Sequence, residues 1–307
     1  MFSVKEQVVV VSGGSRGIGR AIVAEFVKRG AKVIATGRDQ AALDETMALT
    51  EHDGNQAECV TCDVLKKSEI DATVENVIAK HGQIDCLINC AGVNRRMPTL
   101  DLTEEDYDYI IDINQKGAFH FSRVVGEQMI KQHSGSQINI ASLNTDKPLK
   151  NVLPYAMSKA AVGHMTKALA MEWGEHGIRV NAIAPGFILT DLTKKLWSDE
   201  TMQEWGVANT PQRRLGLPED MAGTAIFLAS QASAFMTGQV LYVDGGFTAG
   251  FNWPSPTYAF CTMTKTCPRT IKPKHHMFEL KPTIQPKASV PIEKDTATAT
   301  AMIPVSK

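Results

Sequence analysis

The tightest constraint on this chain is its first junction. Residues 8–11 are four consecutive valines, which then meet Ser12-Gly13-Gly14-Ser15-Arg16-Gly17-Ile18-Gly19 and a helical pattern that runs to Arg29 and stops at Gly30. A continuous β-branched run of this length suits a strand covered on both faces, as in a parallel sheet flanked by helices. Glycines at 13, 17 and 19 give the spacing G-x-x-x-G-x-G, not G-x-G-x-x-G, but the mechanics are alike. They allow a tight turn, close approach of the backbone, and free helix N–H groups aimed at an anion such as a pyrophosphate.

The strand-to-helix unit then repeats. Residues 32–36, 57–61, 86–89, 137–141, 179–184 and 240–243 read as further strands. Helical patterns cover 40–51, 66–81, 107–130 and 154–172, and another starts at Pro218. Thr103-Glu104-Glu105-Asp106 is a capping-box start. This alternation predicts an α/β chain with a single doubly wound, Rossmann-like domain over residues 1–250 and a seven-stranded parallel sheet. Ligands of such sheets sit beyond the carboxyl ends of the strands, so the residues at those exits matter most.

The second strand leaves through Gly37-Arg38. An acid here would take a ribose 2′-hydroxyl, whereas an arginine accommodates a 2′-phosphate. Arg38, with Arg16 in the glycine loop, therefore favours NADP(H) over NAD(H), the alternative being that both arginines are simply solvated. Asp63 follows the third strand, where a loop can meet an adenine edge. Asn89-Cys90-Ala91-Gly92 ends the fourth with small residues that admit a cofactor close to the backbone. Arg95 and Arg96 come next, a fork suited to a substrate carboxylate; surface solvation reads equally well.

The chemistry gathers around residues 142–159. Tyr155 and Lys159 are four apart on a helical pattern and so share a face, with Cβ atoms roughly 5–6 Å apart. A phenol needs its pKa of ~10 lowered by about 3 units to work near neutrality, and a nearby ammonium lowers it. Ser142 closes an apolar strand and can polarise a carbonyl oxygen beside them. Asn114 sits inside a helical pattern together with Asp112 and Gln115. It reads either as a buried asparagine in disturbed helix geometry, holding a proton-relay water toward Lys159, or as a surface amide.

Composition excludes other classes. The net charge is −1, which gives no global attraction to nucleic acid. No run approaches the ~18 apolar residues of a membrane span, and the charged start does not resemble a signal peptide, so a cytoplasmic protein is expected. Cys59-Val-Thr-Cys62 has redox-motif spacing, but on a strand positions three apart face opposite sides, so buried cysteines are expected. The eight histidines show no ligand spacing, and no metal is implied.

Taken together, Gly13-x-x-x-Gly17-x-Gly19, Asn89-Cys90-Ala91-Gly92, Asn114, Ser142, Tyr155-x-x-x-Lys159 and Pro185-Gly186-x-x-x-Thr190 resemble the classical short-chain dehydrogenase/reductase family, over roughly residues 4–249. Ser12 and Cys90 replace the family's usual threonine and second asparagine. The resemblance implies hydride transfer between a nicotinamide and a secondary alcohol or ketone. Tyr155 would exchange the proton, Lys159 would lower its pKa and hold the ribose, Ser142 would orient the carbonyl, and Asn114 would anchor the relay water. Gly13, Ser15, Arg16, Gly17, Ile18 and Gly19 would line the cofactor with Asn89, Ala91, Gly92, Pro185 and Gly186. Ile188 and Thr190 would hold its carboxamide, Asp63 its adenine. Family members are usually tetramers, and the small-residue helix at 154–172 fits a homotetramer or homodimer.

Ala91-Gly92-Val93-Asn94-Arg95-Arg96-Met97-Pro98 and Ala182-Ile183-Ala184-Pro185-Gly186 look most like the gluconate 5-dehydrogenase and 2-deoxy-gluconate 3-dehydrogenase group. That implies a sugar acid, ketose or polyol as substrate, with Arg95 or Arg96 on a carboxylate. A 3-oxoacyl thioester reductase would carry the same core motifs. A catalytically silent NADP(H)-binding sensor or scaffold is a reading of another class, against which the complete Ser-Tyr-Lys-Asn set argues. Residues 187–216, irregular and amphipathic with Trp197 and Trp205, read as a lid over the substrate. Beyond 250 the character changes. Eight of the fourteen prolines and a net charge of +5 fall there, which predicts a disordered or loosely docked tail at 251–307.

Overall fold

The computed structural model describes residues 1–250; the tail expected at 251–307 lies outside the described residues. Seven strands form one parallel sheet: β1 Val8–Ser12, β2 Lys32–Gly37, β3 Glu58–Thr61, β4 Cys86–Asn89, β5 Gly135–Ile140, β6 Ile178–Pro185 and β7 Val240–Val243. Their order is β3-β2-β1-β4-β5-β6-β7, with every pairing parallel. The direction of winding reverses between β1 and β4. That switch point opens a crevice at the strands' carboxyl ends.

The valine run behaves as its pattern requires. All five residues of β1 are buried; Val9 and Val11 pack on one face of the sheet, Val8 and Val10 on the other. The first face is covered by α1 (Gly17–Lys28), α2 (Gln40–Thr50) and α9 (Ala222–Ala229), through Ile22, Phe26, Leu43 and Ile226. The second is covered by α3 (Lys67–His81), α5 (Ala118–Gln132) and α6 (Leu153–Trp173), through Val74, Phe121, Met129 and Leu169. Cys59 joins the first layer and Cys62 the second, as the strand period demands, and both are free thiols.

Three patterns are refined. The helical stretch at 107–130 is two helices, α4 (Glu104–Ile111) and α5, joined by a π-helical turn at Asp112–Gly117. Thr103 caps α4 in the expected box with Asp106. The 191–215 stretch carries two short helices, α7 (Lys194–Trp197) and α8 (Glu200–Asn209). The helix expected from Pro218 begins as a 3-10 turn, Pro218–Met221, and runs into α9.

Candidate active site

The crevice is built from glycines that only a bare backbone can occupy. Gly13 holds φ +73, and a Cβ there would stand 2.6 Å from the Ala91 amide nitrogen, so the loops after β1 and β4 touch across the switch point. At Gly19 a Cβ would meet the Gly13 carbonyl oxygen at 2.1 Å, which fixes how α1 leaves the loop. No side chain caps the start of α1 and no acid sits in its first turn, so its leading N–H groups are left for an external anion. Gly17 faces Thr190, and Gly92 faces Asn114 and the Lys159 ammonium nitrogen, which a Cβ would approach to 3.6 Å. A cradle that any side chain would fill thus runs from the α1 N-terminus to Lys159, and it fits an extended dinucleotide.

Four polar side chains meet at its far end. Ser142 follows β5 and is 6 % exposed; its oxygen accepts from the Asn144 amide at 3.1 Å and the Asn144 side chain at 3.3 Å. With both acceptor positions taken, the remaining proton is the one Ser142 can donate. Ser142 stands beside the Tyr155 phenol and draws its pKa down. Lys159, one helical turn on, is 5 % exposed and donates to the Ile140 carbonyl at 2.6 Å. Its nitrogen is 5.7 Å from the Tyr155 ring centre. Asn114 lies in the π-helical turn, 1 % exposed. Its amide donates to the Val93 carbonyl and Ser158 hydroxyl, each at 3.0 Å, while its oxygen accepts from the Val93 amide at 2.8 Å. The expectation of a buried asparagine in disturbed helix geometry holds. Its side chain is committed to the β4–α4 loop and α6, so it positions Tyr155 through Ser158, whose hydroxyl donates to the Tyr155 carbonyl at 2.7 Å.

The electrostatics correct one expectation. Burial raises the Tyr155 pKa above its ordinary value and pulls Lys159 down from 10.5 to about 8. Desolvation disfavours both charged forms, and the ammonium is aimed at the Ile140 carbonyl. The groups that draw the phenol down are Ser142, by hydrogen bonding, and then Arg96, by charge. Cys90, against Lys159, is pushed up to about 11 by burial and stays a thiol.

The sequence-predicted residues do not all converge. Asn89 turns into the sheet: its amide donates to Ser122 and Asn139, both at 2.9 Å, and Asn139 reaches Thr166 of α6. Its amide links the sheet toward α6, while its carbonyl oxygen has no partner among the described residues. Arg16 pairs with Asp39 at 3.1 Å, both exposed. Arg95 is ion-paired with Asp106 and lies over the Tyr109 ring, 4.4 Å from its centre, which removes it as a carboxylate ligand. Among the described residues the Tyr155 phenol is the titratable group that faces Arg96, and partial desolvation lowers the Arg96 pKa. Arg38 is exposed at the β2 exit, near Asp63. Ser15 is buried and its carbonyl accepts from Arg20 at 2.7 Å; Ile18 packs on the core. Pro185 ends β6, and Gly186 packs on Asp244.

Residues 187–216 are tied at the base. Gly216 accepts from the Leu189 amide at 2.9 Å and donates to the Phe187 carbonyl at 2.8 Å, bridging to Ile188. Phe187, Trp197 and Leu215 pack beneath with Leu143, the neighbour of Ser142. Phe187 meets the Trp197 ring edge-on at 5.3 Å. Thr190 shares a hydroxyl contact with Thr193 at 3.1 Å.

Comparison with known proteins agrees with this geometry. The sequence family described as Enoyl-(Acyl carrier protein) reductase matches residues 13–248. The gluconate 5-dehydrogenase of Gluconobacter oxydans is 36 % identical over 251 residues, covering 81 % of this chain and 97 % of the relative. The chain belongs to the short-chain dehydrogenase/reductase family. A gluconate 5-dehydrogenase from Burkholderia cenocepacia, solved in complex with NADP and tartrate, superposes with a TM-score of 0.78. The two are 32 % identical, over 81 % of this chain and 98 % of that one. The 3-oxoacyl-acyl-carrier-protein reductase of Chlamydia trachomatis is 40 % identical over 238 residues, 77 % of this chain and 95 % of the relative.

This short-chain dehydrogenase is therefore an NAD(P)-dependent oxidoreductase acting on CH–OH groups. Its site also uses two residues that sequence reasoning passed over. Asn144 orients Ser142, and the signal was a serine at a strand end with an amide two residues on. Ser158 ties Asn114 to the catalytic helix, and it stands directly before Lys159.

Proposed function

We propose that this dehydrogenase interconverts a sugar acid bearing a secondary alcohol with the corresponding keto acid, using NADP(H), as a gluconate 5-dehydrogenase does. The observation that carries this reading is Arg96. It lies within charge range of the Tyr155 phenol, and among the described residues no carboxylate pairs with it. An arginine so placed recognises a carboxylate by two parallel hydrogen bonds. A sugar acid presents that group a few atoms from the reacting carbon. The relatives named for gluconate, and the neighbour solved with NADP and tartrate, support the same reading.

In the reductive direction the Tyr155 hydroxyl gives its proton to the substrate oxygen, which Ser142 holds by donating its own. In the oxidative direction the phenolate takes that proton back. Lys159 and the α1 N-terminus are placed to hold the dinucleotide, which when bound supplies or accepts the hydride. Arg38, at a strand exit with no acid before it, favours the 2′-phosphate of NADP(H). Residues 187–216, tied at Gly216, act as the lid, which excludes water from the transfer.

We further infer a cytoplasmic homotetramer or homodimer, in which Met157 and Met171 of α6 and Phe119 of α5, exposed in the single chain, are covered by another copy. Sedimentation of the purified protein tests that assembly.

The 40 %-identical acyl-carrier-protein reductase favours a second reading, a 3-oxoacyl thioester reductase. One assay separates the two: absorbance at the reduced-nicotinamide band with 5-keto-gluconate, a ketose panel and 3-oxoacyl thioesters, each with NADPH and NADH. Turnover of the sugar acid with NADPH, well above that with NADH, is the expected result. Activity confined to thioesters overturns the substrate, and an NADH preference overturns the cofactor.

A further inference from the structure

The glycine loop ahead of α1 is held from behind by one side chain. Arg20, one turn into α1, folds back onto its own loop: its Nε and Nη2 both donate to the Ser15 carbonyl, at 3.1 and 2.7 Å. The same guanidinium reaches across to α2, where Nε donates to the Thr46 hydroxyl at 2.9 Å and Nη2 to the Glu45 carboxylate at 2.8 Å. Thr46 is fully buried, and its hydroxyl donates to the same Ser15 carbonyl at 2.9 Å. One backbone oxygen, two residues before α1 begins, thus draws donors from two helices. A carbonyl has two lone pairs, and this one is saturated by the protein itself.

The consequence lies on the other edge of that peptide. No peptide bond among the described residues is cis, and in a trans peptide the carbonyl and the following N–H point to opposite sides. With the Ser15 oxygen turned onto Arg20 and Thr46, the Arg16 N–H is turned away from them, and among the described residues none accepts from it. A glycine-rich loop left free samples many backbone states, and a ligand that fixes it meets that entropy; a loop already held reduces the cost. We propose that Arg20, seconded by Thr46, is a positioning residue for cofactor binding: it presets the loop at 13–17 so that its free N–H edge and the uncapped start of α1 are offered together to an anion. This rests on the dinucleotide cradle described above. It does not depend on the choice between NADP(H) and NAD(H), because the pyrophosphate is common to both.

The experiment uses the full-length chain and combines fluorescence titration with NADPH and with NADH and thermal unfolding without cofactor, in Arg20→Met, Arg20→Lys, Thr46→Val, Glu45→Gln and the unaltered protein. Arg20→Met keeps an unbranched stem and removes every donor. It should weaken both cofactors about tenfold, the scale of a hydrogen bond to a charged group, and the loss should fall in the cofactor KM rather than in kcat. Arg20→Lys should recover part of the loss, since an ammonium can reach the Ser15 carbonyl but lacks the planar fork that also engages Thr46. Thr46→Val keeps the shape and loses one neutral hydrogen bond, so it should weaken both about two- to fivefold. Glu45→Gln removes only the exposed ion pair and should change neither by more than about twofold. If Arg20→Met and Thr46→Val leave both dissociation constants unchanged, whatever the melting temperature, Arg20 only packs α2 on α1 and the inference fails. A loss confined to NADPH would place the effect at the 2′-phosphate and overturn it as well. Where Arg20→Met does not fold, Arg20→Lys and Thr46→Val decide by the same two readings. If the unaltered protein binds neither cofactor, the dinucleotide reading itself falls and takes the inference with it.

Discussion

Ser142, Asn114 and Lys159 are each more than nine-tenths buried, whereas Arg16, Arg38 and Arg96 stand exposed on loops just past strand ends. The buried set is held by backbone carbonyls, amides and neutral hydroxyls, from the Asn144 neighbour of Ser142 to the more distant Ile140, Val93 and Ser158. Of the exposed set, Arg16 is paired with the Asp39 side chain that caps α2. The first arrangement is rigid and makes one reaction possible; the second is adjustable and selects what enters. A fold can keep its chemistry while its rim is retuned, because the two sets share few contacts.

The largest test of this division is Tyr155→Phe. It removes the proton that the buried set is arranged to deliver and leaves the ring, so turnover should fall about 10²–10⁴-fold while NADPH still binds in a fluorescence titration. A variant retaining more than a tenth of the wild-type rate would mean that the buried cluster does not carry the reaction.

Next in size is Arg96→Gln, on the rim. Losing a charge-assisted pair to the substrate should raise the sugar-acid KM about 10–100-fold and change the KM of an uncharged ketose far less. Arg96 also draws the Tyr155 phenol down, so its removal should raise that pKa and move the rising limb of the oxidative pH profile to higher pH. The same rise in KM for both substrates would turn Arg96 from a selector into a structural residue and blur the two regions into one.

What the sequence made legible follows the same division. The glycine loop, the capping box at Thr103 and the opposed faces of Cys59 and Cys62 all follow from local geometry, since backbone freedom, helix ends and strand period are written in neighbouring residues. The Tyr155–Lys159 pairing was legible for the same reason. The direction of their pKa values was not, because desolvation depends on how deeply the fold buries a group and helical spacing does not encode depth. Arg95 and Arg96 were indistinguishable as adjacent residues on an irregular loop; only the position of Asp106 and Tyr109 separates them. Asn89 looked like a cofactor residue because it ends a strand at the crevice, yet its amide turns inward and links the sheet toward α6.

The smallest expected effect concerns the stability of the buried set. Lys159 has its pKa lowered from 10.5 to about 8 by burial. Between those values the unfolded chain holds a proton that the folded chain has released, so stability rises with pH across this window, and below about pH 8 the full cost, roughly 3 kcal/mol, is present. Lys159→Met removes that cost but leaves the Ile140 carbonyl without its partner, a loss of roughly 1–3 kcal/mol. At pH 7 the variant should therefore be between equal to and about 2 kcal/mol more stable than the wild type in urea unfolding, although it is inactive. Near pH 10.5 the cost has gone and the unpaired carbonyl alone is felt, so the wild type should become the more stable. A stability difference that stays constant from pH 7 to pH 10.5 would show that the ammonium is not desolvated in the folded chain, and the contrast between a desolvated, buried centre and a solvated rim would lose its physical basis.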